Sequence, residues 1–305
     1  MKILVTGGTV FASRFTAEYF AEKGHEVYVL NRGSKPQSDG VKLIEADRHC
    51  LGNTLREHVF DAVLDVTAYN ENDIADLLDS LGEFGQYIFV SSGAVYPETL
   101  SQPFKEEMQC GPNIYWGDYG TNKINAEKLL LEKVPHTYII RPPYLYGKMN
   151  NLYREAFVFE CAENNRKFYI PDDDRMPLQF FNIKNMCRFM EILLEKKPDR
   201  RIFNVGNPDT VTVDEWVRLC YDVLGKEAEI CLINNIERHR MFPFRNYSYV
   251  LDVTEMLKLM DNLTPLSEGL KESYDWFVNN RELIIKKPFF EFIDDNLIQE
   301  IKNEQ

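Results

Sequence analysis

Positive charge is in short supply: the 305-residue chain carries 35 Lys and Arg against 48 Asp and Glu, a formal net charge of −13. A field of that sign repels polyanions, so nucleic acid is not an expected partner unless a local basic pocket overrides it. No C-x-x-C pair occurs among the six cysteines (Cys50, Cys110, Cys161, Cys187, Cys220, Cys231), so reduced thiols are expected. The five histidines (His25, His49, His58, His136, His239) show no paired ligand spacing, and no metal site is expected. No apolar run approaches the length that crosses a bilayer, so an integral membrane protein is not expected. No apolar leader precedes the first strand-like run, which points to the cytoplasm.

What is present suits a large core, with 44% hydrophobic and 27% charged residues. KILVT reads as a strand, runs into a Gly-Gly turn, and is followed by an amphipathic stretch from Phe11 to Lys23. EVYVL then completes a β-α-β unit. Further strand-like runs lie at 41–45, 61–66, 86–91 and 137–141, separated by the helical patterns LGNTLREH, ENDIADLLDSL and NKINAEKLLLEKV. This alternation predicts an α/β fold: a doubly wound parallel sheet of the Rossmann type, with a smaller C-terminal α/β lobe for substrate. The first domain is expected over 1–147, with strands at 178–183 and 201–205 returning to it, and the lobe over 148–305. The mixed apolar and charged stretch from Pro288 to Gln305 predicts a packed terminal helix.

A strand delivered into Thr6-Gly7-Gly8-Thr9 and then a helix aims backbone N–H groups at one point, where a diphosphate is stabilised by those donors and by the helix dipole. TGGTVFAS resembles the TGxxGxxG turn of extended short-chain dehydrogenases/reductases, the NAD-dependent epimerase/dehydratase family. Gly7 stands in the first glycine place, while Val10 and Ser13 hold the second and third. Val10 disfavours the positive φ that glycine would permit there, which bears on cofactor approach. Phe11 and Arg14 fit the TGGT-x-F-x-x-R variant of an atypical branch of that family. The resemblance implies NAD or NADP as cofactor, held by Gly7, Gly8, Thr9, Phe11, Ala12, Asn31, Arg32, Asp47 and Lys123. The second strand ends in Asn31-Arg32 with no carboxylate to reject a 2′-phosphate, which favours NADP. Asp47 matches the aspartate that binds the adenine amine in the family.

QYIFVSSGAVYP resembles the family's strand-end segment and puts Ser92 in the place that faces the substrate oxygen. Downstream, YGTNKINAEK sets Tyr119 and Lys123 four residues apart on one helical face. The resemblance makes Ser92, Tyr119 and Lys123 the catalytic residues: Ser92 hydrogen-bonds the reacting oxygen, Tyr119 moves the proton, and Lys123 steadies the phenolate and the nicotinamide ribose. The likeness continues through RPPYLYGKMN (141–150), FNVGNPDTVTVDEW (203–216), VLDVTE (250–255) and TPLSEGLKESYDWF (264–277). Gly93-Ala94 replace the Asp-Glu pair of dehydratase members, so a 4,6-dehydratase is not expected. The family's C-terminal lobe binds nucleotide sugars, and Arg175, Gln179 and Arg245 are candidates for substrate contacts; the Asp172–Asp174 run reads as a solvated loop.

The leading expectation is an NAD(P)-dependent epimerase or reductase acting on a nucleotide sugar or similar hydroxyl or carbonyl substrate, with pairing of two chains implied by its relatives. The atypical branch also resembles chloroplast stem-loop binding proteins, which leaves an RNA-binding protein as the alternative. A dinucleotide sensor without turnover is a third reading.

Overall fold

The computed structural model describes residues 1–171, 176–233 and 238–297. Eleven strands are described: β1 (Lys2–Thr6), β2 (Glu26–Asn31), β3 (Val41–Glu45), β4 (Phe60–Asp65), β5 (Phe84–Val90), β6 (Thr137–Arg141), β7 (Tyr144–Tyr146), β8 (Phe168–Pro171), β9 (Phe180–Asn182), β10 (Ile202–Asn204) and β11 (Ile230–Ile233). The helices are α1 (Phe11–Glu22), α2 (Glu71–Ser80), α3 (Asp118–Lys133), α4 (Glu155–Glu163), α5 (Ile183–Lys196), α6 (Val213–Asp222), α7 (Thr254–Leu257), α8 (Leu266–Val278) and α9 (Phe289–Phe292).

A seven-stranded sheet in the order β10-β6-β5-β4-β1-β2-β3 forms the centre, every neighbouring pair parallel. Its central strands are apolar on both faces because helices cover both. Ile3 and Val5 of β1 face a core shared with α1 and α5, while Leu4 faces one shared with α2 and α3. The chain reverses its winding direction between β1 and β4, and the crevice beyond their carboxyl ends is where such sheets bind ligands. A third apolar cluster, centred on Trp216, Phe157 and Phe180, forms the core of the C-terminal lobe.

Several elements depart from the sequence expectation. LGNTLREH forms turns instead of a helix, with Gly52 at φ 51, and a short 3-10 turn at Arg48–Cys50 precedes it. By contrast, the strand expected over 201–205 does join the large sheet, as β10 beside β6. The one expected over 178–183 shortens to β9 and pairs with β7 in a separate two-stranded sheet. The expected terminal helix reduces to α9 and a π-helical turn at Ile293–Leu297, and its remainder falls outside the described residues. No helix among the described residues is long and apolar enough to cross a membrane.

Candidate active site

β1 hands Thr6 to Gly7 and Gly8, which sit at φ 87 and 93. Space confirms the requirement for glycine: a Cβ on Gly7 would lie 2.7 Å from Ser13 Oγ, and one on Gly8 would lie 2.5 Å from Val29 Cγ1. Residue 10 makes no such demand. Val10 adopts φ −139 and ψ 136, extended backbone open to any residue, and its side chain is 36% exposed. The positive φ values of this turn fall instead on Gly7, Gly8 and Phe11, the last at φ 31. Ser13, in the third glycine place, is buried and donates its hydroxyl to the Val10 carbonyl at 3.0 Å.

α1 begins without a side-chain cap and without an acidic residue in its first turn, so its leading amides are left for an anion. Thr9, Val10 and Phe11 open onto a cleft of about 390 Å³ bordered by Arg14, Lys35 and Trp276. Uncapped donors, two glycines that cannot be replaced, and nearby cations fit the diphosphate of a dinucleotide.

Asn31, at the end of β2, donates its amide to the Gly7 carbonyl at 2.7 Å and to Gln37 Oε1 at 3.0 Å, while its oxygen accepts from the Gly33 amide at 3.0 Å. Arg32 next to it is exposed and makes no ion pair among the described residues. Asp47 is exposed and accepts from the His49 amide at 2.9 Å, capping the 3-10 turn.

That turn carries a residue the sequence reading missed. The Arg48 guanidinium donates to both oxygens of Asp65, at 3.0 and 2.5 Å, and to the Asp73 carbonyl at 2.9 Å. Asp65 is fully buried at the end of β4 and also accepts from Thr6 Oγ1 (2.7 Å), the Tyr87 hydroxyl (2.6 Å) and the Ala68 amide (3.0 Å). Burial alone would raise the Asp65 pKa, but Arg48 and the hydroxyl donors override it and hold the carboxyl below its usual range.

Ser92 follows β5 and caps a short 3-10 turn, its hydroxyl accepting from the Ala94 amide at 3.1 Å. α3 closes on this turn because residue 120 is glycine: a Cβ there would lie 2.4 Å from the Ala94 carbonyl oxygen. The approach brings the Tyr119 phenol towards Ser92; burial raises the phenol pKa and the Ser92 side chain opposes that rise. Lys123, one turn on, is buried and donates to the carbonyls of Ala68 at 2.7 Å and Val90 at 2.8 Å. Its ammonium lies 5.9 Å from the Tyr119 ring centre, and burial pushes its pKa down to about 8. The three residues expected to act together are therefore brought together.

Aromatic rings surround Tyr119, with Tyr69 at 5.4 Å and Trp116 at 6.4 Å between centroids. Trp116 meets Tyr249 edge-on at 5.4 Å, and Tyr249 meets Tyr144 at 5.2 Å. Arg245, expected as a substrate contact, is exposed and lies over Trp116 at 5.0 Å. Arg154, which the sequence reading passed over, lies over Tyr144 at 5.0 Å. Gln179 is not free for such a role: it is buried, it donates to the Asn207 and Leu251 carbonyls at 2.9 and 3.0 Å, and it accepts from the Leu251 amide at 2.8 Å. It ties three segments of the lobe together. Arg175 and the Asp172–Asp174 run lie outside the described residues.

The sheet order, with the glycine turn at its switch point, defines a Rossmann-type α/β protein. Residues 3–206 match the model of the NAD dependent epimerase/dehydratase family, and the chain belongs to that family. A chloroplast stem-loop binding protein of 41 kDa b from Arabidopsis thaliana is 28% identical, the match covering 90% of this chain and 78% of the relative. A UDP-glucose 4-epimerase from Corynebacterium glutamicum is 24% identical over 74% of this chain and 81% of its own. Among solved structures, a Thermotoga maritima UDP-glucose 4-epimerase with UDP-glucose superposes with TM-score 0.77 at 20% identity, covering 92% of this chain and 100% of that one. A Bacillus cereus UDP-glucuronic acid 4-epimerase in complex with UDP-glucuronic acid and NAD gives 0.72 at 18% identity, with 92% and 99% covered.

Proposed function

We propose that the chain is a cytoplasmic NAD(P)-dependent epimerase or reductase acting on a nucleotide sugar or a similar hydroxyl or carbonyl substrate. The observation that carries this reading is the buried Lys123 ammonium, held by the Ala68 and Val90 carbonyls one helical turn from Tyr119 and 5.9 Å from its ring centre. The nicotinamide supplies the hydride acceptor and donor when bound. Ser92 orients the substrate oxygen by hydrogen bonding, and Tyr119 accepts its proton or returns it. Lys123 supplies positive charge beside the phenol and favours its ionised form. The aromatic wall of Tyr69, Trp116, Tyr144 and Tyr249 excludes water and offers faces on which a base or sugar ring stacks. Asn31 in place of a carboxylate, with Arg32 exposed beside it, supports NADP.

The test is to incubate the protein with NAD or NADP and a set of nucleotide sugars, following each sugar carbon by NMR. Inversion or oxidation at one carbon that disappears in Tyr119→Phe supports the proposal. Turnover unchanged in Tyr119→Phe contradicts it.

The extensive match to a stem-loop binding protein favours RNA binding as a second reading. The net charge of −13 opposes it. A gel shift with stem-loop RNA at physiological salt separates the two.

A further inference from the structure

The Arg48–Asp65 pair lies between two places that the proposed function uses separately. Arg48 follows Asp47 directly, the residue that the family resemblance assigns to the adenine amine. Its guanidinium grips both oxygens of Asp65, and the Oδ1 atom that it shares accepts from the Ala68 amide at 3.0 Å. On the other side of the same residue, the Ala68 carbonyl accepts from Lys123 Nζ at 2.7 Å. Arg48 Nη1 also reaches Thr67 Oγ1 at 3.2 Å, so the guanidinium contacts the segment leading to Ala68 twice over. Each link is a short hydrogen bond, and most are charge-assisted. Asp65 is fully buried and Arg48 largely so, which removes competition from water and fixes one arrangement.

A structural ion pair needs none of this connectivity. Asp65 could have been a hydrophobic residue in an otherwise apolar strand, as Ala62, Val63 and Leu64 are. A bidentate Arg fork at this site instead sets the orientation of the carboxylate, and the carboxylate sets the Ala68 amide. The Ala68 carbonyl in turn sets where the lysine ammonium rests.

We propose that Arg48 and Asp65 are positioning residues that couple occupancy of the adenine end of the site to the placement of Lys123, through the Ala68 backbone. The inference rests on the dinucleotide reading above, and it adds a connection between the two ends of the site. Neither residue touches the reacting atoms. Binding beside Asp47 tightens the 3-10 turn that carries Arg48, and the rigid fork transmits that to Asp65 and the Ala68 backbone.

ADP is the probe, because it fills the adenine half and carries no nicotinamide to touch Lys123. The full chain is labelled with 13C-lysine, and the Lys123 Cε resonance is assigned by its loss in Lys123→Met. ADP is then titrated into the parent, Arg48→Lys, Arg48→Met and Asp65→Asn, with folding of each checked by thermal melting. Saturating ADP is expected to shift the Lys123 resonance in the parent, to shift it less in Arg48→Lys, and to leave it unmoved in Arg48→Met and Asp65→Asn although ADP still binds. If Arg48→Met fails to fold, the graded response of Arg48→Lys decides the matter. A parent resonance that ignores bound ADP overturns the coupling while leaving the dinucleotide reading intact. An equal shift in parent and Arg48→Lys overturns it too. Failure of the parent to bind ADP removes the dinucleotide reading and the coupling with it.

Discussion

The side-chain amide of Asn31 donates to the carbonyl of Gly7 at 2.7 Å, fastening the end of β2 to the glycine turn after β1. An aspartate at 31 would lose that donor and bring a negative charge to the same point. Asn31→Asp is therefore expected to weaken NADPH binding more than NADH binding. Arg32→Ala, which removes an exposed guanidinium, is expected to weaken NADPH by about tenfold, the size of one charge-assisted hydrogen bond. Fluorescence titration of both reduced nucleotides checks the pair of variants.

The turn itself makes contrasting demands at neighbouring positions. Gly8→Ala forces a side chain into φ 93 and against Val29, and is expected to cost stability and abolish nucleotide binding together. Val10→Gly changes a residue already at φ −139, so affinity should stay within about twofold, a small effect on the free-energy scale. A large gain in affinity on Val10→Gly would show that the valine side chain obstructs the diphosphate after all. Calorimetric titration measures it.

Burial pushes the Lys123 pKa down to about 8, well below that of an ordinary lysine. Its ammonium is charged below that pH and is lost above it, so its help in holding an anionic dinucleotide falls as pH rises through 8. Affinity should drop by roughly tenfold across that range, and Lys123→Met should flatten the profile. The folding equilibrium has its own sign. Because the folded pKa is depressed, the cost of burying the charge is fully present below about 8 and is relieved as pH climbs towards the ordinary lysine value.

Arg141 and Glu127 form a second buried pair, between β6 and α3, with Arg141 Nε and Nη2 donating at 3.0 and 2.5 Å. Ser91 donates to the same carboxylate, and Arg141 Nη1 reaches the Tyr96 hydroxyl at 2.8 Å. Arg141→Met leaves Glu127 charged and unpaired in the interior, and about 3–5 kcal/mol of stability should be lost. The urea midpoint reads this directly. Nucleotide affinity, compared under conditions where the variant is folded, should change little.

The strands were legible where apolar runs are framed by turn residues. β3 and β6 fall on the residues that the pattern marks, and the β1-turn-α1-β2 unit is plain in KILVTGGTVFAS and EVYVL. The helix expected from LGNTLREH did not form: the run is short, and Gly52 takes a left-handed conformation near its start. Ser92, Tyr119 and Lys123 could be named because QYIFVSSGAVYP and YGTNKINAEK resemble the family's segments at matching places along the chain. Arg48 and Asp65 were hidden, since only strand order brings them together. A signal was nonetheless present: an acid at the end of the apolar run DAVLD must find a cation once the strand is buried. Gln179 shows the opposite error. Its residue type suits a substrate contact, but the backbone groups that claim its amide come from segments far apart in sequence.

Everything functional here depends on the turn after Thr6 accepting a nicotinamide dinucleotide. Equilibrium titration of the purified chain with NADPH and NADH, alongside Gly8→Ala, measures that directly. Saturable one-to-one binding, tighter for NADPH and absent in Gly8→Ala, is the expected result; no binding of either nucleotide by the parent, or equal binding by Gly8→Ala, would contradict it.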